Sequence, residues 1–523
     1  IQTIKRVFDN FVFDRYTQTY SDKEYSDFEK QTLEQLSTYF PEIDEVGIKA
    51  DLQEYYNMWQ SFSDNPDNDA IKLALTKQTE ILSNHIHSTR TQVAELQNQL
   101  NNQIEVNVNE VNSLAKKLAD LNRSIDTAEA GKLYDANDLR DQRNIIERDM
   151  VRLIGANTNY GQIESNTQIH SSSNTITGSY SMDINGFNIV DGSTYHPLRV
   201  SNDKNPSGFY ELSYERQDGI LIPMEEIISG GKIGALLDLR GGTLDTTSGV
   251  PKDGILQNTI AQLDGFAKGL IESTNNIYAS SVTTRMDSNA IMFDPNDALM
   301  SSTLNVNAGT FNVAIYDIDG NEVSSRSITI DVATRMTGLS GSNSIQGQME
   351  ASLDDNADGN ANNDIDDYID FNWGTFASGE NVLAFSMDPL KESQGYTFAI
   401  KDSLVDDKLG SGTNFAGALG MNRFFDGYDA SSIDIHASFK ANPTGIKAGY
   451  SSVAGDNRVA LDMIQQQFED LNFKVGPVTY EASVYGMFDI IATEVGTVTN
   501  SAITRQETIS TQFNAVEMEY FSV

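Results

Sequence analysis

From residue 71 to residue 130 apolar side chains recur at alternating steps of four and three. Leu82, Ile86, Thr89, Val93, Leu96 and Leu100 step 4-3-4-3-4, and Val111, Leu114, Leu118, Leu121, Ile125 and Ala128 resume the rhythm after a slip near 101–108. That spacing puts these residues on one helix face. Unbroken, with Gly131 as its C-cap, the helix is ~90 Å long at 1.5 Å per residue. Two other stripes share the rhythm, and the C-terminal one needs long partners, which only the 71–130 helix and the 256–277 stripe can supply. Leu256, Ile260, Leu263, Ala267, Leu270, Thr274 and Ile277 form one; Val484, Phe488, Ile491, Val495, Val498, Ala502, Arg505, Ile509, Gln512 and Val516 form the other. The 480–520 stripe is expected to pack on the 71–130 helix.

Shorter helices precede and follow the rod. Ser21 and Glu24 have capping-box spacing ahead of Tyr25, Phe28, Leu33, Leu36 and Phe40, with Pro41 as the stop. Ile48, Leu52, Tyr55, Tyr56, Trp59 and Phe62 predict a second helix, and Leu139, Ile146, Met150 and Leu153 a return helix closed by Gly155. The texture then turns to Ser, Thr, Asn and Gly with period-two alternation. Met182 and Ile184, then Asn185-Gly186, then Phe187 and Ile189 predict a two-residue hairpin, because Asn-Gly tolerates the positive φ angles of a type I′ turn. Phe311, Val313 and Ile315 up to Asp319-Gly320, and Tyr396, Phe398 and Ile400, predict further half-buried strands. The expected fold class is α+β multidomain: an elongated helical bundle formed by both chain ends and a middle helix, with two β-rich inserted domains. Its parts are a helical bundle domain from 1–158, 228–288 and 452–523, a small β-rich insert at 159–227, and a β-rich outer region at 289–451, with a division of that region into two subdomains as the alternative.

A chain of 523 residues exceeds one hydrophobic core, and 39% hydrophobic residues suffice for several. Its 75 acidic and 36 basic residues give a formal charge of −39. That balance argues against nucleic acid and membrane as partners, since phosphate contacts want Lys or Arg. With no cysteine, disulfides, Cys-ligated zinc and thiol catalysis are excluded. Ile1 to Tyr16 lack the basic stretch and apolar run of a cleavable signal peptide. The chain starts without Met and stops at Tyr520-Phe521-Ser522-Val523, and both true ends are expected to lie beyond it.

No catalytic, cofactor-binding or metal-binding residue is singled out. His85 and His87, two apart on a helix, point to different faces; His170, His196 and His436 stand alone in sequence. Gly-x-Ser-x-Gly, phosphate-loop, His-Glu-x-x-His and dinucleotide motifs are missing, so no nucleophile, base and orienter assemble, and the chain is read as no enzyme. Asp354-Asp355-Asn356-Ala357-Asp358-Gly359-Asn360 matches the first half of a calcium loop, yet position 12, normally a bidentate Glu, is Ile365. An acidic turn is the favoured reading, with a weak calcium site as the alternative.

Several segments resemble the flagellar hook-associated protein 1 family, in family order. Leu139-Arg140-Asp141-Gln142-Arg143-Asn144 is similar to its Leu-x-Asp-Gln-Arg-Asp element, with Asn in the last place. Gly230-Gly231-Lys232-Ile233-Gly234-Ala235-Leu236-Leu237-Asp238-Leu239-Arg240 resembles its Gly-rich lead-in to a helix. Leu263, Phe266, Ala267 and Asn275-Asn276-Ile277-Tyr278, then Leu419-Gly420-Met421-Asn422-Arg423-Phe424-Phe425 and Gly455-Asp456-Asn457, continue the likeness, although the family often has His where Tyr278 stands. The resemblance implies a structural subunit of the junction between hook and filament, exported unfolded to the extracellular flagellum without a cleaved signal peptide. It also implies self-association into a ring, hook protein on one side and the second junction protein on the other, an export chaperone engaging the missing C-terminal segment, and no cofactor. A different flagellar axial protein (second junction protein or flagellin) and a secreted calcium-binding adhesin remain as alternatives.

Overall fold

The computed structural model describes residues 9–41, 46–130, 136–160, 180–216, 218–375, 379–402 and 412–522. Gly131 and His170 lie outside the described residues. Six helices carry labels here: α1 (Asn10–Ser37), α2 (Ile48–Asp64), α3 (Asp69–Glu129), α4 (Asn137–Ile154), α5 (Gly231–Arg240) and α6 (Ile255–Tyr278); a C-terminal helix runs from Val484 to Ser522. The fold is α+β and multidomain.

The long stripe is one uninterrupted helix of 61 residues. Its slip is real but filled: Leu100, Ile104, Val108 and Val111 are all buried, stepping 4-4-3. Eleven residues over three turns let the stripe continue on the same face where a strict heptad drifts. The Ser21 capping box is corrected. α1 starts twelve residues earlier, where the Asp9 carboxylate accepts from the amides of Phe11 and Val12. Ser21 is buried mid-helix. α1 reads poorly as a helix because part of its buried face is Thr17, Ser21, Ser26 and Thr32; the hydroxyls of Thr17, Ser26 and Thr32 donate to carbonyls three or four residues back. The return helix ends as expected, with Gly155 left-handed at φ 62.

The chain divides into two compact units, 1–40 with 92–260 and 493–523, and 41–91 with 261–492. Three of the four boundaries fall inside α3, α6 and the C-terminal helix, and the fourth lies between α1 and α2. In the first unit α1 packs on α4 and α5. The C-terminal helix also lies on α1: Thr499 donates to the Leu33 carbonyl at 3.2 Å, Arg505 pairs with Glu29 at 2.8 Å, and Tyr16 stacks on Tyr520 at 4.6 Å. Strands β1 (Asn157–Tyr160), β2 (Tyr180–Ile184), β3 (Phe187–Asp191) and β4 (Thr194–Tyr195) form an antiparallel sheet in chain order. Strands β5 (Leu198–Ser201), β6 (Glu211–Glu215) and β7 (Leu221–Pro223) form a second. The Asn185-Gly186 turn has φ 49 and φ 89, as a type I′ turn requires.

In the second unit, β8 (Arg285–Asp287), β9 (Gly309–Tyr316), β10 (Glu322–Ile330), β11 (Ile369–Thr375), β12 (Asn381–Met387) and β13 (Thr397–Asp402) make two antiparallel sheets, ordered β10-β9-β13 and β11-β12-β8. Both contribute to one core that includes Phe311, Ile315, Ile328, Leu383, Phe385 and Phe398. The first turns of the C-terminal helix meet α6 through Phe488 and Phe266 (5.9 Å) and α2 through Tyr485 and Tyr56 (6.0 Å). Of the two partners expected for the C-terminal helix, α6 is met, while packing on the 71–130 helix stays a prediction; α1 and α2 are partners that apolar spacing alone does not single out.

Candidate functional site

The glycine-rich segment has a steric explanation. Gly230 and Gly231 open α5 against the end of α4: a Cβ on Gly231 would stand 2.6 Å from the Leu153 carbonyl carbon, and one on Gly155 would stand 2.9 Å from the Gly230 Cα. Gly231 also has φ +64. Both the crossing and the dihedral need glycine. At the other end of α5, Arg240 is fully buried. Its Nη1 donates to Asn101 Oδ1 (2.8 Å) and the Tyr210 carbonyl (2.9 Å), while Gln97 donates to the Arg240 carbonyl (2.9 Å). Burial lowers its pKa to about 10. Asn101 also accepts from the Tyr210 amide (2.9 Å).

α3 holds the sheets by further asparagines. Asn112 accepts from the Leu198 amide (2.9 Å) and donates to the Leu198 carbonyl (2.8 Å), and Asn122 donates to the Gly192 carbonyl (2.7 Å). In α4, Arg143 and Glu147 form a buried ion pair at 3.2 Å. The Tyr160 hydroxyl donates to Glu147 (2.6 Å), and the guanidinium lies 4.8 Å from the Tyr180 ring centroid. Burial pushes the Glu147 carboxyl up against the opposing pull of Arg143. Leu139 and Ile146, expected to face inward, are only half-buried. The charged pair occupies the face they were expected to fill.

In the second unit, segments distant in sequence meet at the end of α6. Asn275 accepts from the amides of Phe424 and Phe425 (2.8 Å each) and donates to the Phe425 carbonyl (3.0 Å). The Tyr278 hydroxyl accepts from the Lys447 amide (3.0 Å), and Asn457 donates to the Ser63 carbonyl (2.9 Å). The acidic loop is organised around a cation the chain supplies. Buried Arg326 pairs with Asp355 (2.7 Å) and Asp366 (2.8 Å), and its Nη1 donates to the Met349 carbonyl (2.6 Å). Asp354 accepts from the Gly359 amide (2.9 Å), and Asp358 from the Asn360 amide (2.8 Å) and Asn363 (2.9 Å). Three of the oxygens a calcium ion would use are thus committed to loop N–H groups.

His85 faces Asp51 (2.6 Å) and His87 the Ser431 carbonyl (2.7 Å), so the two serve different partners. His436 faces Asp426 (2.8 Å), and no serine hydroxyl among the described residues hydrogen-bonds its other nitrogen. A base and its orienter stand there without a positioned nucleophile. Sequence reasoning missed Arg240, Arg326 and the α3 asparagines, because isolated buried polar residues leave no periodic signature.

These features define a class: α+β multidomain chains whose long helices are stitched to small antiparallel sheets by buried Arg and Asn side chains. The model of the flagellar hook-associated protein FlgK helical domain matches residues 33–293. Flagellar hook-associated protein 1 of Salmonella typhimurium is 26% identical over 219 residues, 41% of this chain and 35% of that protein. The Bacillus subtilis protein of the same name is 21% identical over 300 residues, 56% of this chain and 57% of that one. The matched stretch thus spans about a third of the first relative and a little over half of the second. The solved structure of the flagellar hook junction protein FlgK from Burkholderia pseudomallei superposes with a TM-score of 0.54 at 13% identity, covering 98% of this chain and 100% of that one, and shares its fold. The chain belongs to the FlgK family of flagellar hook-associated proteins.

Proposed function

We propose that this chain is a structural subunit of the bacterial flagellum, standing between hook and filament, and that it is not an enzyme. The observation that carries the reading is the match to the FlgK helical domain over 33–293. That range contains α3, α4, α5 and the glycine crossing, the parts whose geometry depends most on particular residues. In this reading copies associate side by side in a ring, with hook protein below and the second junction protein above, and an export chaperone engages the protein before secretion to the cell exterior. The segments 1–158, 228–288 and 452–523 form the helical frame, and 159–227 and 289–451 are the β-rich inserts. The internal use of charged side chains supports the non-enzymatic part, since Arg143, Arg240 and Arg326 all hold backbone or carboxylate partners of the fold. The test is deletion of the gene in its source bacterium. Hooks without filaments, restored by the intact gene, are expected; normal filaments on the deletion strain would overturn the proposal.

A further inference from the structure

One cavity in the second unit reverses the charge of the chain around it. Acidic residues outnumber basic ones 75 to 36 overall. Yet Arg285, Arg423, His436 and Lys447 line a single cavity of about 300 Å³, where Asp287 is the one carboxylate among the described lining residues. Asp287 is already held by Arg285, through Nε and Nη2 at 2.8 Å each. Behind the wall, Asp426 accepts from Arg423 Nε (2.7 Å) and the Ala437 amide (3.1 Å) and faces His436 Nδ1 (2.8 Å). The carboxyl is held down to about 2, so it stays ionised and orients both side chains.

That arrangement leaves donors without acceptors. His436 gives its Nδ1–H to Asp426, so its Nε2 faces no partner among the described residues, as an acceptor while the ring is neutral and as a donor only once it is protonated. Arg423 uses Nε on Asp426 and Nη1 on the Asp287 and Gly420 carbonyls (3.4 Å each), which leaves Nη2 open. The Lys447 ammonium is exposed and has no ion pair among the described residues, while its backbone is fixed by the Tyr278 hydroxyl. The open Nη2 of Arg423 and the Lys447 ammonium are donors lining the same cavity, and the two oxygens of a carboxylate accept one from each.

We propose that this cavity is an anion site whose occupant is a carboxylate. The group comes either from an acidic side chain of a second copy, which this chain offers in abundance, or from a small free carboxylate. The inference rests on the second unit alone and stands apart from the junction reading.

The test uses the full chain labelled with ¹⁵N-histidine, whose five histidines give few signals. Glutarate is titrated against sodium chloride at constant ionic strength. The His436 ring signal is expected to move saturably, and Lys447→Gln, at an exposed position, to weaken the response by about fivefold. Lys474→Gln, at a different cavity, should leave it unchanged. No saturable movement, or equal responses from wild type and Lys447→Gln, would overturn the proposal, as would tighter binding of inorganic phosphate than of glutarate. A glutarate-free dilution series separates the sources. A His436 shift that grows with protein concentration and is reversed by glutarate identifies a second copy's carboxylate. A concentration-independent signal that still saturates with glutarate identifies a free one.

Discussion

Arg326 shows how much one buried cation does in so acidic a chain. Its guanidinium meets Asp355 and Asp366 and the carbonyls of Gln348 and Met349. Arg326→Met would leave the buried Asp355 without its counter-charge, a loss of about 3–5 kcal/mol. Both tryptophans, Trp59 and Trp373, lie in the second unit, so fluorescence-detected urea unfolding reads that unit. An unshifted midpoint would show that the pair is dispensable. Asp426 gives a prediction in pH. Its folded pKa of about 2 lies below the ordinary value of about 3.9. A depressed carboxyl contributes stability that is fully present above the unfolded value and is lost as pH falls through the folded one. Wild type should therefore exceed Asp426→Asn by about 1–2 kcal/mol at pH 5, after allowance for solvent screening, and the gap should close between pH 4 and pH 2. A gap independent of pH would assign the effect to packing. None of this was legible in the sequence, where an arginine among many carboxylates looks like any other surface residue.

At the scale of elements, the crossing of α4 and α5 depends on having no Cβ. Gly231→Ala places a methyl 2.6 Å from the Leu153 carbonyl carbon and strains a backbone at φ +64. The expected loss is about 3 kcal/mol, read by thermal melting of the first unit, while Ala235→Ser on the same helix serves as a milder control. An unchanged melt would mean that the crossing relaxes freely. Elements with apolar periodicity were readable in advance: α2, α3, α6, the C-terminal helix and the Asn185-Gly186 hairpin stand where their patterns put them. The misses have a common cause. α1 buries hydroxyls that bond back to its own carbonyls, and α4 buries Arg143 and Glu147, so both inner faces look polar in sequence. One partner of the C-terminal helix was legible and another was not. Phe266 on α6 belongs to a visible stripe, whereas Tyr16 and Tyr20 on α1 meet Phe513 through ring contacts at 5.7 and 5.4 Å that no heptad count reveals.

For the whole molecule, a formal charge of −39 acts on every copy at once. Like charges repel within the folded chain more than in the expanded one, and salt screens them over a Debye length of about 10 Å at 0.1 M. Raising sodium chloride from low to physiological strength at pH 7.5 should therefore raise the melting temperature. Calcium discriminates between this general screening and a specific ion site. In the 354–366 loop, Asp355 and Asp366 already face Arg326, and Asp354 and Asp358 accept from loop amides. A calcium ion would have to displace those hydrogen bonds and would find Ile365 where the bidentate ligand normally closes the loop. One millimolar calcium and one millimolar magnesium, matched in ionic strength, should therefore shift the melt equally, and Asp358→Ala should change neither response. A calcium-specific rise abolished by Asp358→Ala would establish the loop as a metal site. It would also move the balance toward a calcium-dependent extracellular protein, because the stabilisation would then come from ligation and not from screening.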